Sequence, residues 1–288
     1  MSTTISRVAW GDVLMTAIAP MLWGSTYLVT TQMLPPDRPF VAAALRAVPA
    51  GVVVLAVFRR WPDRDVWGRL LLLSALNIGV FQALLFVAAY RLPGGLAAVV
   101  GAIQPLLVLA LAWVVERARP RFLSMVGGVV GVVGMAVLLV SPEARWDAIG
   151  IGAALGGAAC MAAGTYLARR WRIGLPVMAA TGWQLLLGGI MIVPLAVMVD
   201  PPLPPLTMLH VAGYVYLSAA GAVLAYGLWF RGVVRLPAAA VSSLGLLSPL
   251  TAIVLGWGVL GQAVGVVGMV GMALVLAGIV AVQHGARS

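Results

Sequence analysis

Ten apolar runs of about 20 residues follow one another through this chain of 288 residues. They lie near 12–33, 40–58, 69–90, 95–115, 122–140, 148–168, 177–199, 211–230, 237–258 and 264–283. A run of that length is what an α-helix needs to cross the roughly 30 Å hydrocarbon core of a bilayer. A backbone in lipid must satisfy its own hydrogen bonds, which leaves helices and closed barrels. Barrel strands would alternate with a period of two, and these runs do not. Ten spans consume about 200 residues, so the rest supplies short loops and no separate soluble domain. Only 9% of the residues are charged and the mean hydropathy is +1.07, against about 25% charged in a soluble domain. The first run is too long for a cleavable leader, and further spans follow it.

The net charge of +10 comes from eighteen arginines, with no lysine. On a soluble chain such charge would point to nucleic acid. Here the arginines sit at the edges of apolar runs, and no basic stretch alternates with aromatics. Sorted by loop, fourteen fall on the side of the termini: Arg7, Arg59, Arg60, Arg64, Arg69, Arg117, Arg119, Arg121, Arg169, Arg170, Arg172, Arg231, Arg235 and Arg287. Three, Arg38, Arg91 and Arg145, fall on the other. Positive charge stays in the cytoplasm, so both termini are expected there. One missed span would scramble the bias from that point on.

The two halves resemble each other. Arg91-Leu92-Pro93 recurs as Arg235-Leu236-Pro237, and Pro105, Trp113 and Phe86 recur as Pro249, Trp257 and Phe230, all at an offset of 144. Leu73-Ser74-Ala75 matches Leu217-Ser218-Ala219 at the same offset, and Thr26-Tyr27-Leu28 matches Thr165-Tyr166-Leu167 at 139. Five spans per half is an odd number, so the second half enters the membrane from the opposite side. The expected fold is therefore an all-α membrane protein of two inverted five-helix repeats, 1–143 and 144–288, around a central cavity. Inverted repeats recur in secondary transporters, with the site near the midplane between them.

With Trp23-Gly24-Ser25-Thr26 in the first span, Arg46 in the second, Pro105 and Pro249 in the fourth and ninth, and Glu116 closing the fourth, the sequence resembles the drug/metabolite transporter superfamily, in its ten-helix EamA-type branch. Gln262 stands where the second half would repeat Glu116, a departure from the pattern. The resemblance implies export of amino acids, related metabolites or drugs across a bacterial inner membrane. It also implies that helices one to four and six to nine surround the cavity, with five and ten to the side.

Arg46 is the sharpest single feature, about 10 Å inside its span at 1.5 Å per residue. A charge at that depth costs roughly 2.5–3.5 kcal/mol on insertion scales, and something must offset it. Its guanidinium either faces the cavity to attract a substrate carboxylate, or bonds backbone carbonyls and snorkels outward. Aligning Pro39 with Pro176 makes Trp183 its repeat mate. Asn77, Gln82, Gln104 and Gln184 are the amides within spans. They suit a zwitterion or equally a bond between helices, and Gln82, whose mate is Tyr226, is the favoured ligand of the four. Asn77 shares a helix face with Phe81. Trp23, Thr26, Tyr27, Phe81, Tyr166, Trp183 and Tyr226 are the candidate cavity lining; the other role for the aromatics is the interfacial belt, which suits Trp10, Trp61, Trp67, Trp146 and Trp171. Pro105 and Pro249 each remove a helix bond and serve either as gating hinges or as static kinks. Ser242, Ser243 and Ser248 are placed to satisfy carbonyls freed by Pro249. Gly127, Gly131 and Gly134, with Gly261, Gly265, Gly268 and Gly271, form small-residue faces for helix packing or a dimer; a monomer is favoured.

No Asp or Glu lies deep in a span, so no buried carboxylate offers a proton relay. Asp12 and Glu116 are helix-end charges or gate-edge groups. Cys160 is the single cysteine, which excludes an internal disulfide. No clustered nucleophile, base or metal ligands appear, and no phosphate loop; neither an enzyme nor an ATPase is expected, and no cofactor or metal. The expected partners are the bilayer and a small-molecule substrate, most favourably an amino acid with an apolar or aromatic side chain, moved by alternating access. The alternatives are a multidrug or other metabolite exporter, or a lipid scramblase.

Overall fold

The computed structural model describes residues 10–92, 103–117, 121–139, 147–171, 173–261 and 265–285. Every regular element among them is helical. In chain order these are α1 (Trp10–Met33), α2 (Pro39–Phe58), α3 (Trp67–Ser74, Ala75–Gly79 and Val80–Arg91), α4 (Gln104–Glu116), α5 (Phe122–Leu139), α6 (Ala148–Arg170), α7 (Val177–Met198), α8 (Met208–Ser218, Ala219–Leu224 and Ala225–Arg235), α9 (Ala238–Leu244 and Leu247–Leu260) and α10 (Val266–Gly285). Eight of these stretches are long and apolar enough to cross a membrane, and α4 and α5 carry shorter apolar segments. Large side chains such as Val57, Val114, Phe122, Val197 and Met198 are exposed, as a lipid-facing surface requires. The first part of the fourth run lies outside the described residues, as do Pro93, Glu143, Arg145, Trp146 and Gln262.

The ends of the helices follow from local chemistry. Pro39 stands in the first turn of α2, where its missing N–H costs nothing. Asp147 caps α6 by accepting from the Gly150 amide at 2.8 Å and also pairs with Arg91 at 3.1 Å. Thr207 and His210 form a reciprocal capping box at the start of α8. Asp200, just past α7, accepts the Val41 amide at 2.6 Å, tying the end of one helix to the start of another. Burial pushes the Asp200 carboxyl above its usual range, against the pull of the Val41 and Phe40 amides and the Arg38 guanidinium.

Three spans are irregular. In α3 and α8 the middle section is π-helical, over Ala75–Gly79 and Ala219–Leu224; the two sections start 144 residues apart. A π-turn widens the ladder and releases a carbonyl from it, commonly at functional sites. In α9 the helix breaks at Gly245-Leu246, held by short bonds from the Gly245 amide to Ser242 and the Leu246 amide to Ser243. The break precedes Pro249, which stands in the first turn of the following helix, where an absent donor is harmless. The described part of α4 likewise has Pro105 in its first turn.

Apolar side chains gain little by leaving lipid for protein, so packing rests on close approach at small residues. The α5–α10 contact is the clearest case: a Cβ on Gly278 would lie 2.6 Å from the Gly127 carbonyl, and one on Gly134 2.9 Å from the Gly271 carbonyl. The expected small-residue faces thus meet within the chain at Gly127, Gly131, Gly134 and Gly271, joined by Gly278. Gly261 instead closes α9 with φ of 66°, and a Cβ on Gly265 would meet nothing. In the same way α2 lies on α7 through Gly51 and Gly189, while α3 packs on α6 and α1 on both α8 and α9. Gly24, of the Trp-Gly-Ser-Thr quartet, sits against the Ser248 carbonyl and the Thr251 side chain; a larger residue there would push α1 off α9.

Candidate functional site

A cavity of about 540 Å³ lies among α1, α2, α3, α4, α6, α8 and α9. It extends to the end of the bundle that carries Pro36, Asp37 and Tyr90, which we take as its mouth. Trp23, Thr26, Tyr27 and Thr30 line it from α1, spaced three and four apart on one helix face. Arg46 comes from α2, Phe81 and Leu85 from α3, Gln104 from α4, Ala158 and Met161 from α6, Tyr226 and Trp229 from α8, and Ser242, Gly245 and Ser248 from α9.

Arg46 is 2% exposed. Its Nη2 donates to the Gly221 carbonyl at 2.9 Å, and Trp23 Nε1 donates to the same oxygen at 3.0 Å. That carbonyl belongs to the π-helical section of α8, which explains how one backbone oxygen serves two side chains. Arg46 Nε is buried with no partner, and no carboxylate among the described residues pairs with the guanidinium. A buried cation without a counter-ion is costly; an anionic group entering the cavity would offset that cost through charge-assisted bonds. Beside it stands an aromatic wall. The Trp23 ring lies 5.0 Å from Tyr226 and 5.1 Å from Trp229, and Phe230 stacks behind Tyr226 at 5.8 Å.

Ion pairs and hydrogen bonds tie the helices together at the other end of the bundle. Asp12 Oδ1 receives Arg231 Nη2 at 2.6 Å and Arg235 Nη1 at 3.3 Å, joining the start of α1 to the end of α8. Arg169 Nη1 donates to the Leu236 carbonyl at 2.6 Å. The Gln283 amide reaches the Ala240 carbonyl at 2.7 Å and Ser243 Oγ at 3.1 Å.

The profile of the EamA-like transporter family matches two stretches of the chain, residues 9–140 and 148–283. The chain belongs to the EamA-like transporter family. It is a multi-pass membrane transporter, not an enzyme. Protein PecM of Dickeya dadantii is 40% identical over 267 residues, covering 92% of this chain and 90% of PecM. The inner membrane transporter YedA of Escherichia coli K12 is 25% identical over 274 residues, 92% of this chain and 88% of YedA. A crystal structure superposes on 98% of the chain and 99% of its own with a TM-score of 0.82. At 21% identity that likeness speaks for the fold alone.

The transporter's cavity gathers Trp23, Thr26, Tyr27, Arg46, Phe81, Gln104, Tyr226 and Pro249 from the residues singled out in the sequence. The Pro105 side chain lies outside the described part of the structure. The remaining candidates stand elsewhere. Gln82 is fully buried and donates to the Tyr226 hydroxyl at 2.9 Å, so it supports a wall residue from behind. Asn77 donates to Gln184 Oε1 at 2.8 Å, a bond between α3 and α7. Trp183 is near the end of the bundle rather than deep in it: its Nε1 donates to the Arg60 carbonyl at 2.9 Å and its ring meets Trp61 and Trp67. Tyr166 receives a bond from Arg170 at the end of α6. Sequence reasoning missed Trp229 and Thr30, although Trp229 is one helical turn from Tyr226 and Thr30 one turn from Thr26, spacings that put each pair on one face. Of the three serines, Ser243 donates to the Ala240 carbonyl at 3.0 Å, which is not a carbonyl freed by Pro249, and Ser242 Oγ has no partner among the described residues.

Proposed function

We propose that this transporter exports small metabolites, amino acids with apolar or aromatic side chains, by alternating access without ATP. The observation that carries the proposal is Arg46: a buried guanidinium without an acidic partner, in the wall of a cavity bounded by Trp23, Tyr226 and Trp229. The arginine takes the carboxylate and the aromatic wall takes the side chain. A neutral aromatic drug would use the same wall but not the arginine, and a cation would be repelled by it.

In this reading the chain crosses a bacterial inner membrane ten times, as two inverted halves, with both termini in the cytoplasm. The shared 144-residue offset of the π-helical sections and the two-part family match support the duplication. So does the contact between Gln82 and Tyr226, since a residue touches its own repeat mate only on the axis relating the copies. The arginine-poor end then faces outward, and the cavity mouth at Asp37 makes this the outward-facing state. The break in α9 ahead of Pro249 is one proposed hinge, and Pro105 is the other. The transporter acts as a monomer.

The test is counterflow of labelled phenylalanine in proteoliposomes. Arg46→Gln is expected to raise KM by roughly ten- to a hundredfold, the worth of a hydrogen bond to a charged group. Unchanged KM in folded Arg46→Gln would end the carboxylate role.

A further inference from the structure

A second cavity, of about 420 Å³, lies between α6, α7 and α8, toward the end of the bundle opposite Asp37. It reaches the exposed Gly174 in the loop after α6. Its lining repeats that of the first cavity's mouth. The mouth is lined by Thr30 near the end of α1, by Phe86 and Tyr90 near the end of α3, and by the loop between α1 and α2. The second cavity is lined by Arg169 near the end of α6, by Phe230 and Val234 near the end of α8, and by the loop between α6 and α7. Thr30 and Arg169 stand 139 residues apart; Phe86 and Phe230, like Tyr90 and Val234, stand 144 apart. Those are the offsets that the Thr-Tyr-Leu and Arg-Leu-Pro repeats set independently of any cavity. One ring pair separates the two spaces. Tyr226 lines the first and Phe230 the second; they are one helical turn apart on α8 and stack at 5.8 Å with 24° between their planes. Phe230 is only 4% exposed.

We propose that the second cavity is the loading vestibule, where cargo binds from the arginine-rich face before it reaches Arg46, and that the stacked rings of Tyr226 and Phe230 are the partition it must pass. This rests on the inverted-repeat reading: when the halves exchange conformations, the counterpart of the open mouth becomes the open mouth. The lining suits the same class of cargo. Leu73, Val177 and Val233 offer an apolar surface, and Arg169 is the charged residue among the described lining. Arg169 Nη1 donates to the Leu236 carbonyl at 2.6 Å, which joins the end of α6 to the end of α8 beside the vestibule. A carboxylate is a stronger acceptor for a guanidinium than a neutral carbonyl is. An arriving carboxylate therefore exchanges with Leu236 at Arg169, and that exchange frees α6 to part from α8.

The test is labelling of single cysteines by a membrane-impermeant maleimide in spheroplasts and in inverted vesicles, on a Cys160→Ala background. Ala180→Cys reports the second cavity and Leu85→Cys the first. Ala180→Cys is expected to react from the face of the Gly174 loop and Leu85→Cys from the opposite face. Phenylalanine at about ten times its half-saturating concentration is expected to slow the Ala180→Cys reaction about tenfold, as for a site that it occupies. With Phe230→Ala, or Phe230→Leu should the first misfold, Leu85→Cys is expected to become reachable from both faces. Reaction of Ala180→Cys only with a lipid-soluble maleimide would make the cavity a lipid-filled crevice and overturn the vestibule, while Leu85→Cys reached from one face and protected by phenylalanine leaves the transport reading standing. Reaction of both cysteines from the same face would overturn the inverted-repeat reading itself. Leu85→Cys still reached from one face alone in both folded Phe230 variants would overturn the partition.

Discussion

Gln82 Nε2 donates to the Tyr226 hydroxyl at 2.9 Å across 144 residues of chain, the same offset that relates Pro105 to Pro249 and one π-helical section to the other. In the proposed duplication each is the other's counterpart, and the bond joins the middle of α3 to the middle of α8 behind the cavity wall. Removing either partner should therefore disturb the wall through the other. Tyr226→Phe and Gln82→Leu are each expected to lower thermal stability. A double-mutant cycle should give a coupling of about 0.6–2 kcal/mol, the range for bonds between membrane helices. A coupling near zero in detergent melting curves would mean that the pair does not act as a unit.

The α5–α10 contact lies away from the cavity, and its glycines are there for close approach. Gly278→Leu places a side chain where the Gly127 carbonyl and the Gly131 backbone already stand, at 2.6–2.8 Å from the new Cβ. Overpacking of this kind costs about 1–3 kcal/mol. The expected outcome is a lower melting temperature with unchanged KM in the folded fraction. A changed KM would connect α5 and α10 to the cargo path.

Asp147 gives a pH dependence with a definite sign. The Gly150 amide, then the Arg91 guanidinium, hold its carboxyl below the usual carboxylate range. A depressed folded-state value means that the carboxylate form stabilises the fold. That contribution is fully present above the ordinary value of about 3.9 and is lost as pH falls through the lowered one. Melting temperatures of the native protein and Asp147→Asn should differ at neutral pH and converge in acid below that point. A constant difference down to pH 3 would contradict this.

Much of the architecture was legible because lipid leaves the backbone few choices. The lengths of the runs, and with them the all-helical membrane class, follow from that constraint, and Arg46 stood out as a charge that needed a reason. Side-chain partners were another matter. Asn77 and Gln184, amides in apolar spans, suited cargo or a bond between helices equally; they bond each other, a pairing that a pattern of types along one chain does not reveal. Trp183 stands six residues into α7, but its indole Nε1 reaches the Arg60 carbonyl in the loop after α2, so the side chain lies near the end of the bundle. The Gly221 carbonyl, which holds both Arg46 and Trp23, had no signal at all: a π-turn displaces a backbone oxygen without asking for any particular side chain.

Asp12 ties α1 to α8 at the end opposite the cavity mouth by serving Arg231 and Arg235 together. Partly exposed pairs are worth about 0–1 kcal/mol each, so Asp12→Asn should loosen this end without unfolding the protein. On a Cys160→Ala background, Val13→Cys, buried beside Asp12 in α1, is expected to react up to about fivefold faster with a membrane-impermeant maleimide once Asp12 is neutralised. An unchanged rate would show that other contacts, such as that of Arg169 with Leu236, keep this end shut.

The most direct test of an uncoupled amino-acid exporter is uptake of radiolabelled solutes into proteoliposomes of the purified protein without ATP, sodium or a pH gradient. Phenylalanine, tyrosine and leucine are expected to equilibrate faster than in empty liposomes, and cationic drugs are not. Drug flux without amino-acid flux, or amino-acid uptake that appears only when a pH gradient is imposed, would contradict it.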